Sequence, residues 1–402
     1  MPSFVPKGAT RPPGRLSAAS IASIAPIAPI TSIASIASSV TLAAVLATML
    51  LAAGVSPAQA QWQVSSPDGN SSLKLGFLLQ GRAEWAENYE AAGDASGASR
   101  EYTSQNLYLR RIRLVLGGKI RKDLSFFIDT DGPNSGKVGT SGGKEFGDIY
   151  LQDFVTTWDV AGPLKLDTGL ILAPGAYNHL QSAASLLAMD YGPYTFVESG
   201  PLKTKVGRDT GVQARGVVLR KHVEYRVAVL QGLREAKGTD PFRLAARVAW
   251  SPFDGQSALF YPGTSLGKRL GITVGAAIDA QRDYRAYHGD LYADVPLTAR
   301  HTLTGQIDVS RYDGGDLLAS IRPQTTLLGE VGFGIASRFT PYFQAARQEL
   351  DSRGPDETSL QAGLSWWIDG HKANFKAAWN RIERDGAKTR NQLLIQYQAF
   401  TF

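Results

Sequence analysis

The chain has 402 residues, 42 Lys plus Arg against 36 Asp plus Glu for a net charge of +6, and no cysteine. That charge is too mild to argue for nucleic acid, and the missing thiols exclude a disulfide framework and a thiolate metal site. Hydrophobic residues make up 43%, yet beyond residue 61 no apolar run approaches the roughly 20 residues that a membrane helix needs.

In chain order, the first predicted element is an export leader. Lys7, Arg11 and Arg15 give a basic start without an acidic residue, and residues 41–55 are apolar but short for a bilayer span. Ala58-Gln59-Ala60 is a small-x-small cleavage site. Residues 1–60 are expected to be a signal peptide cut after Ala60, which leaves residues 61–402 as one domain.

From Leu73 onward the hydrophobic pattern has a period of two. Leu73, Leu75, Phe77, Leu79 and Trp85 oppose Lys74, Gln80, Arg82 and Glu84. Residues 87–104 and 132–147 are Gly/Ser-rich and predict long surface loops. Phe242, Leu244, Ala246, Val248 and Trp250 then oppose Arg243, Ala245, Arg247 and Ala249. The same alternation sets Leu270, Ile272, Val274, Ala276 and Ile278 against Gly271, Thr273, Gly275 and Ala277. Leu303, Ile307 and Val309 oppose Thr304, Gln306, Asp308 and Ser310, and Phe375 and Trp379 oppose Asn374, Lys376 and Asn380. Residues 368–371 predict a tight turn on the opposite side from the long loops. The final run, residues 392–402, ends on Phe402. Within it Leu393, Ile395 and Tyr397 have one parity and Phe400 and Phe402 the other, so a bulge or an exit from the membrane near Ala399 is expected.

Segments of about ten residues, half apolar, are the pattern of a transmembrane β-barrel. Trp85, Trp158, Trp250, Trp366 and Trp379 stand near strand ends, as an aromatic girdle requires. The polar faces hold Arg, Lys and Gln that a dry core could not leave unpaired. The expected fold is all-β, a transmembrane antiparallel β-barrel that closes its last strand on its first. The roughly 340 residues beyond the leader suit about 16 strands.

Several motifs, taken in order, resemble the phosphate-selective porin O/P family. Arg110-Arg111-Ile112-Arg113-Leu114, followed by Gly118-Lys119, is similar to its arginine strand. Residues 124–131, 148–152 and 169–174 resemble its next strands, Arg208-Asp209-Thr210-Gly211-Val212 its re-entry after a long loop, and residues 369–373 its penultimate turn. The resemblance implies a 16-stranded homotrimer in the bacterial outer membrane, surrounded by lipid and assembled by machinery that reads Phe402. It implies passive diffusion of small anions such as phosphate or polyphosphate, with no cofactor, no metal and no nucleic-acid partner. It also implies a loop near residues 174–208 that folds inward.

On that basis the anion-contact candidates are Arg111, Arg113, Lys203, Lys205, Arg208, Arg243 and Arg247. Arg111 and Arg113 share a parity opposite to Ile112 and Leu114, so both point into the lumen if the aliphatic face meets lipid. Guanidinium suits the task because it stays charged and grips oxoanions in a bidentate way. The other reading pairs them with Asp129, Asp131 or Asp148, and leaves the lysines on a solvated loop face. Leu172 stands where the family prefers Lys, Phe127 where a polar residue is common, and Asp190 and Glu198 add negative charge to the inward loop. A weakly selective general porin and a non-conducting structural barrel are the alternatives. An enzyme is not expected, because none of His179, His222, His288, His301 and His371 lies beside a nucleophile motif.

Overall fold

Alternate residues of a pleated strand face opposite ways, so a long series of half-apolar strands can satisfy every backbone group only by closing on itself. In the computed structural model this happens. The structure describes residues 62–90, 100–139, 142–253, 255–351 and 354–402. The leader and its cleavage site lie outside the described residues, as does the tip of the first surface loop.

The chain runs β1 (Trp62–Ser65), β2 (Ser72–Glu90), β3 (Arg100–Arg121), β4 (Leu124–Asp131), β5 (Lys137–Val138), β6 (Lys144–Glu145), β7 (Tyr150–Ala161) and β8 (Leu164–Leu172). A single helical turn α1 (Tyr177–Leu180) follows, then β9 (Arg208–Val218), β10 (Val223–Leu230), β11 (Arg243–Trp250), β12 (Gly271–Gln281) and β13 (Tyr284–Pro296). The series ends with β14 (His301–Asp313), β15 (Gln324–Ile335), β16 (Phe339–Leu350), β17 (Glu357–Asp369), β18 (Ala373–Arg384) and β19 (Arg390–Thr401). Leaving out β1 and the small β5–β6 hairpin, each strand pairs antiparallel with the next, and β19 pairs with β2 from Gln392↔Ala86 to Thr401↔Phe77. The result is a closed barrel of 16 strands. Short β1 takes up the part of β2 beyond the end of β19, from Trp62↔Leu75 to Ser65↔Ser72.

The expected faces hold. Leu73, Leu75, Phe77, Leu244, Val248, Ile307 and Val309 are exposed on the outer wall, whereas Gln80, Arg82, Glu84, Arg243, Arg247, Gln306 and Asp308 are buried inside. Phe339, Trp366, Phe375 and Tyr397 form an aromatic belt across β16–β19, with ring centroids 6.3, 6.0 and 4.9 Å apart in turn. The turn near Gly370 is tight, with φ of 53° at the glycine and a Lys372 N–H to Asp369 carbonyl bond of 3.0 Å.

Two expectations change. The first surface loop is shorter than residues 87–104, because β2 runs on to Glu90 and β3 begins at Arg100. The final strand carries no bulge. Its register with β2 is unbroken, so the alternation simply turns Phe400 and Phe402 inward. Phe400 packs against a cluster of Leu78, Ala183 and Ala184. The ring of Phe402 lies over Gly117, where an added Cβ would stand 2.5 Å from its tip.

Two connections enter the barrel from opposite ends. Residues 173–207 follow β8 at the end of the long loops, and residues 251–270 follow β11 at the end where the chain terminates. They meet in the interior. Gln181 and Tyr261 form a parallel bridge, the Tyr261 N–H donates to the Leu180 carbonyl at 2.7 Å, and the Ser182 N–H donates to the Tyr261 carbonyl at 2.8 Å. Tyr177 stacks on Tyr292 of β13 at 4.0 Å. Gly263 permits the approach, because a Cβ there would stand 2.3 Å from the Ser185 carbonyl oxygen, a rigid backbone atom. Gly263→Val is expected to force the segments apart at a cost of about 1–3 kcal/mol. A larger single-channel conductance together with a lower urea midpoint would register that opening.

Candidate functional site

The interior charges come from strand residues of inward parity, and their partners are set by neighbouring strands. Most of them are compensated. Arg113 donates to Asp129 and Asp131, each at 2.9 Å. Arg208 pairs with Asp153 at 3.2 Å and Arg215 with Asp167 at 2.6 Å. Arg243 bridges Asp279 at 2.6 Å and Asp209 at 3.3 Å. Arg247 donates to Asp290 at 2.8 Å and to the Gly175 carbonyl at 2.9 Å. Arg113, Arg208, Arg243 and Arg247 are therefore neutralised wall pairs in this structure rather than open cationic contacts. Of the three carboxylates considered as partners for the arginine strand, Asp129 and Asp131 take Arg113. Lys203 and Lys205 are exposed, and neither is ion-paired among the described residues. The Lys205 ammonium lies 5.4 Å from the centre of the Tyr150 ring.

Arg111 is different, and a break in β3 explains why. The pairing of β2 with β3 shifts between Gln80↔Arg111 and Gly81↔Leu109, which leaves Arg110 as an extra residue. A bulge of this kind re-aims side chains. Tyr108 faces inward before it and Arg111 and Arg113 after it, so the strand changes parity at Arg110. In consequence two consecutive arginines reach one carboxylate. Asp190, on the inward segment 173–207, receives Arg110 at 3.2 Å, Arg111 at 3.1 Å and Arg82 of β2 at 2.6 Å. Arg82 is steadied by Gln396 at 2.6 Å and Arg111 by Gln80 at 2.6 Å. Burial by itself would raise the Asp190 carboxyl, but the charges of Arg110, Arg82 and Arg111 outweigh it and hold the group well below the usual carboxylate range. Asp190 therefore stays ionised, and three cations face one anion.

Lys376 of β18 moors the same inward segment. It is 4% exposed, and its ammonium donates to the Leu186 carbonyl at 2.6 Å and the Ala188 carbonyl at 2.7 Å. These backbone partners hold the inward segment.

Arg82, Arg110 and Lys376 were not singled out from the sequence. One signal was present. Two adjacent arginines cannot both face the lumen of a regular strand, so Arg110-Arg111 in an inward-pointing series hints at a bulge. The second inward segment had no comparable signal. Leu172, where a family lysine is preferred, is buried in an apolar cluster with Tyr177, Leu180, Tyr261 and Tyr292.

Residues 87–292 match the family described as phosphate-selective porin O and P. No curated protein matches the chain in sequence. In fold the chain is similar to an anion-selective porin from Comamonas acidovorans, at 10% identity and a TM-score of 0.50, with 82% of this chain and 99% of that one covered. It is also similar to the outer membrane channel DcaP of Acinetobacter baumannii, at 11% identity and a TM-score of 0.51, covering 84% and 99% of the two chains. A third likeness is to OmpT of Vibrio cholerae expressed in the outer membrane, at 8% identity and a TM-score of 0.51, covering 84% and 100%.

Proposed function

Because this chain belongs to the phosphate-selective porin O and P family, we propose that it is an outer-membrane channel for passive diffusion of small anions, gated in sign by the guanidinium groups around Asp190. The observation that carries this reading is the surplus of charge there. Arg82, Arg110 and Arg111 face a single carboxylate, with Lys376 close by. Fixed cations in a narrow, low-dielectric passage lower the entry barrier for anions and raise it for cations. No covalent chemistry and no energy source are needed, and the reading is of a channel rather than an enzyme.

Phosphate as cargo is a finer matter. Of the seven residues expected to contact anions, only Arg111 belongs to the surplus, with Lys203 and Lys205 as exposed cations on the inward segment. The neutralised pairs of Arg113, Arg208, Arg243 and Arg247 favour a second reading, a general porin with weak selectivity. We read the assembly as a homotrimer embedded in lipid through the exposed apolar wall, which native mass measurement in detergent checks. Recognition of Phe402 by the barrel-assembly machinery is tested by removing that residue and following insertion.

The deciding experiment is the reversal potential of the refolded chain in a planar bilayer under a KCl gradient, with phosphate added afterwards. An anion-selective reversal supports the proposal, and block by phosphate extends it to phosphate. A reversal potential near zero leaves the general porin, and a cation-selective one overturns the proposal.

A further inference from the structure

Toward the end where the chain terminates, part of the interior presents rings. Phe127 of β4 meets Phe260 at 5.3 Å and Phe402 at 5.6 Å, both edge to face. Phe260 belongs to the second inward segment and lies beneath the Arg208 guanidinium at 5.8 Å. Phe196 and Phe260 pack against the cluster around Leu172. Phe196 also meets Tyr191 edge to face at 5.2 Å, and the Arg111 guanidinium lies 5.8 Å from the Tyr191 ring. The rings thus connect the aromatic wall to the arginine cluster, and Tyr191 directly follows Asp190 in the chain. Phe127, Phe196 and Phe260 are only partly buried, and Phe402 is 38% exposed. Apolar rings that stay partly accessible inside a closed barrel border water-filled space.

Such a wall does nothing for an inorganic oxoanion, which loses hydration against it without gaining a hydrogen bond. It favours a solute with a ring of its own, through edge-to-face contact and removal of apolar surface from water. The arginine cluster meanwhile already holds a carboxylate, that of Asp190, on three guanidinium groups. Taking the anion-channel reading as its basis, the geometry points to an aromatic carboxylate as the preferred solute. Its carboxylate competes with Asp190 for Arg82, Arg110 and Arg111, and its ring slides along Tyr191, Phe196 and Phe127.

The test uses the full-length mature chain in planar bilayers, with benzoate, acetate and inorganic phosphate each titrated against the chloride current. Benzoate is expected to half-block the current at about one-tenth the concentration of acetate, the ratio that one added ring contact supports. Equal block by benzoate and acetate, or strongest block by phosphate, overturns the inference while an anion-selective reversal potential leaves the channel reading in place. A cation-selective reversal potential counts against the channel reading itself. Phe127→Ser with Phe260→Ser should bring benzoate to the concentration of acetate, and a retained difference overturns the assignment to this wall. A measurement independent of current is the thermal midpoint in detergent, which should rise more with benzoate than with acetate. Equal midpoints overturn the inference.

Discussion

Arg82→Gln combined with Arg111→Gln is expected to erase the channel's preference for anions. The two substitutions remove two of the three cations that face Asp190 and leave Arg110 paired with the carboxylate. The local surplus then falls from two positive charges to none. A unit charge acting across about 8 Å contributes roughly 0.5–2 kcal/mol, depending on the effective dielectric constant. Losing two such charges should lower the anion-to-cation permeability ratio by roughly tenfold. Glutamine keeps a donor toward Gln80 and Gln396, so the barrel itself should still close. Asp190→Asn is the complementary change and should move the ratio the other way, because it uncovers the same guanidinium groups. Reversal potentials for the three proteins decide the matter. An unchanged ratio in the double variant would mean that the arginines only moor the inward segment.

The second large effect concerns Arg247→Met. Arg247 and Asp290 form an ion pair whose side chains are both 0% exposed, and Arg247 also holds the Gly175 carbonyl at the start of the inward segment. Removing one partner strands a buried charge, which typically costs about 3–5 kcal/mol. The urea midpoint should fall accordingly, and the channel should become noisier as the segment loses its anchor. Replacing both partners, Arg247→Met with Asp290→Leu, should recover most of that stability, because no buried charge is left unpaired. It should not recover the quiet current, because the bond to Gly175 is still missing. If the double variant were as unstable as the single one, the stabilisation would come from the Arg247 guanidinium lying over the Tyr261 ring rather than from the pair.

The barrel was legible in the sequence because strand alternation is a local property. Leu244, Val248, Arg243 and Arg247 declare their faces through spacing alone, and closure removes the only alternative to them, an open edge in lipid. For the same reason the inward aim of Arg111 and Arg113 could be read from parity. The bulge at Arg110 was only hinted at by the adjacent arginines, because it depends on a register slip against β2, a strand about thirty residues earlier in the chain. The inward turn of Phe400 and Phe402 was misread as a bulge or an exit, because their parity is opposite to that of Leu393, Ile395 and Tyr397. They face inward because Gly117 and the small residues Ala183 and Ala184 leave room for rings there.

What the sequence determined by itself is therefore the wall: the number of strands, which side chains meet lipid and which meet the lumen. Its period of two follows from the pleat and needs no partner. The charge of the lumen, by contrast, depends on how the strands and the inward segment come together in space. Arg113, Arg208, Arg243 and Arg247 look alike in sequence to Arg111, yet each is cancelled by a carboxylate that a neighbouring strand brings within hydrogen-bond distance. Arg111, Arg110 and Arg82 share one anion carried in on a folded connection. Coulombic compensation falls off with distance in space and takes no account of separation along the chain, so it is settled only once the barrel has closed and the inward segment is seated.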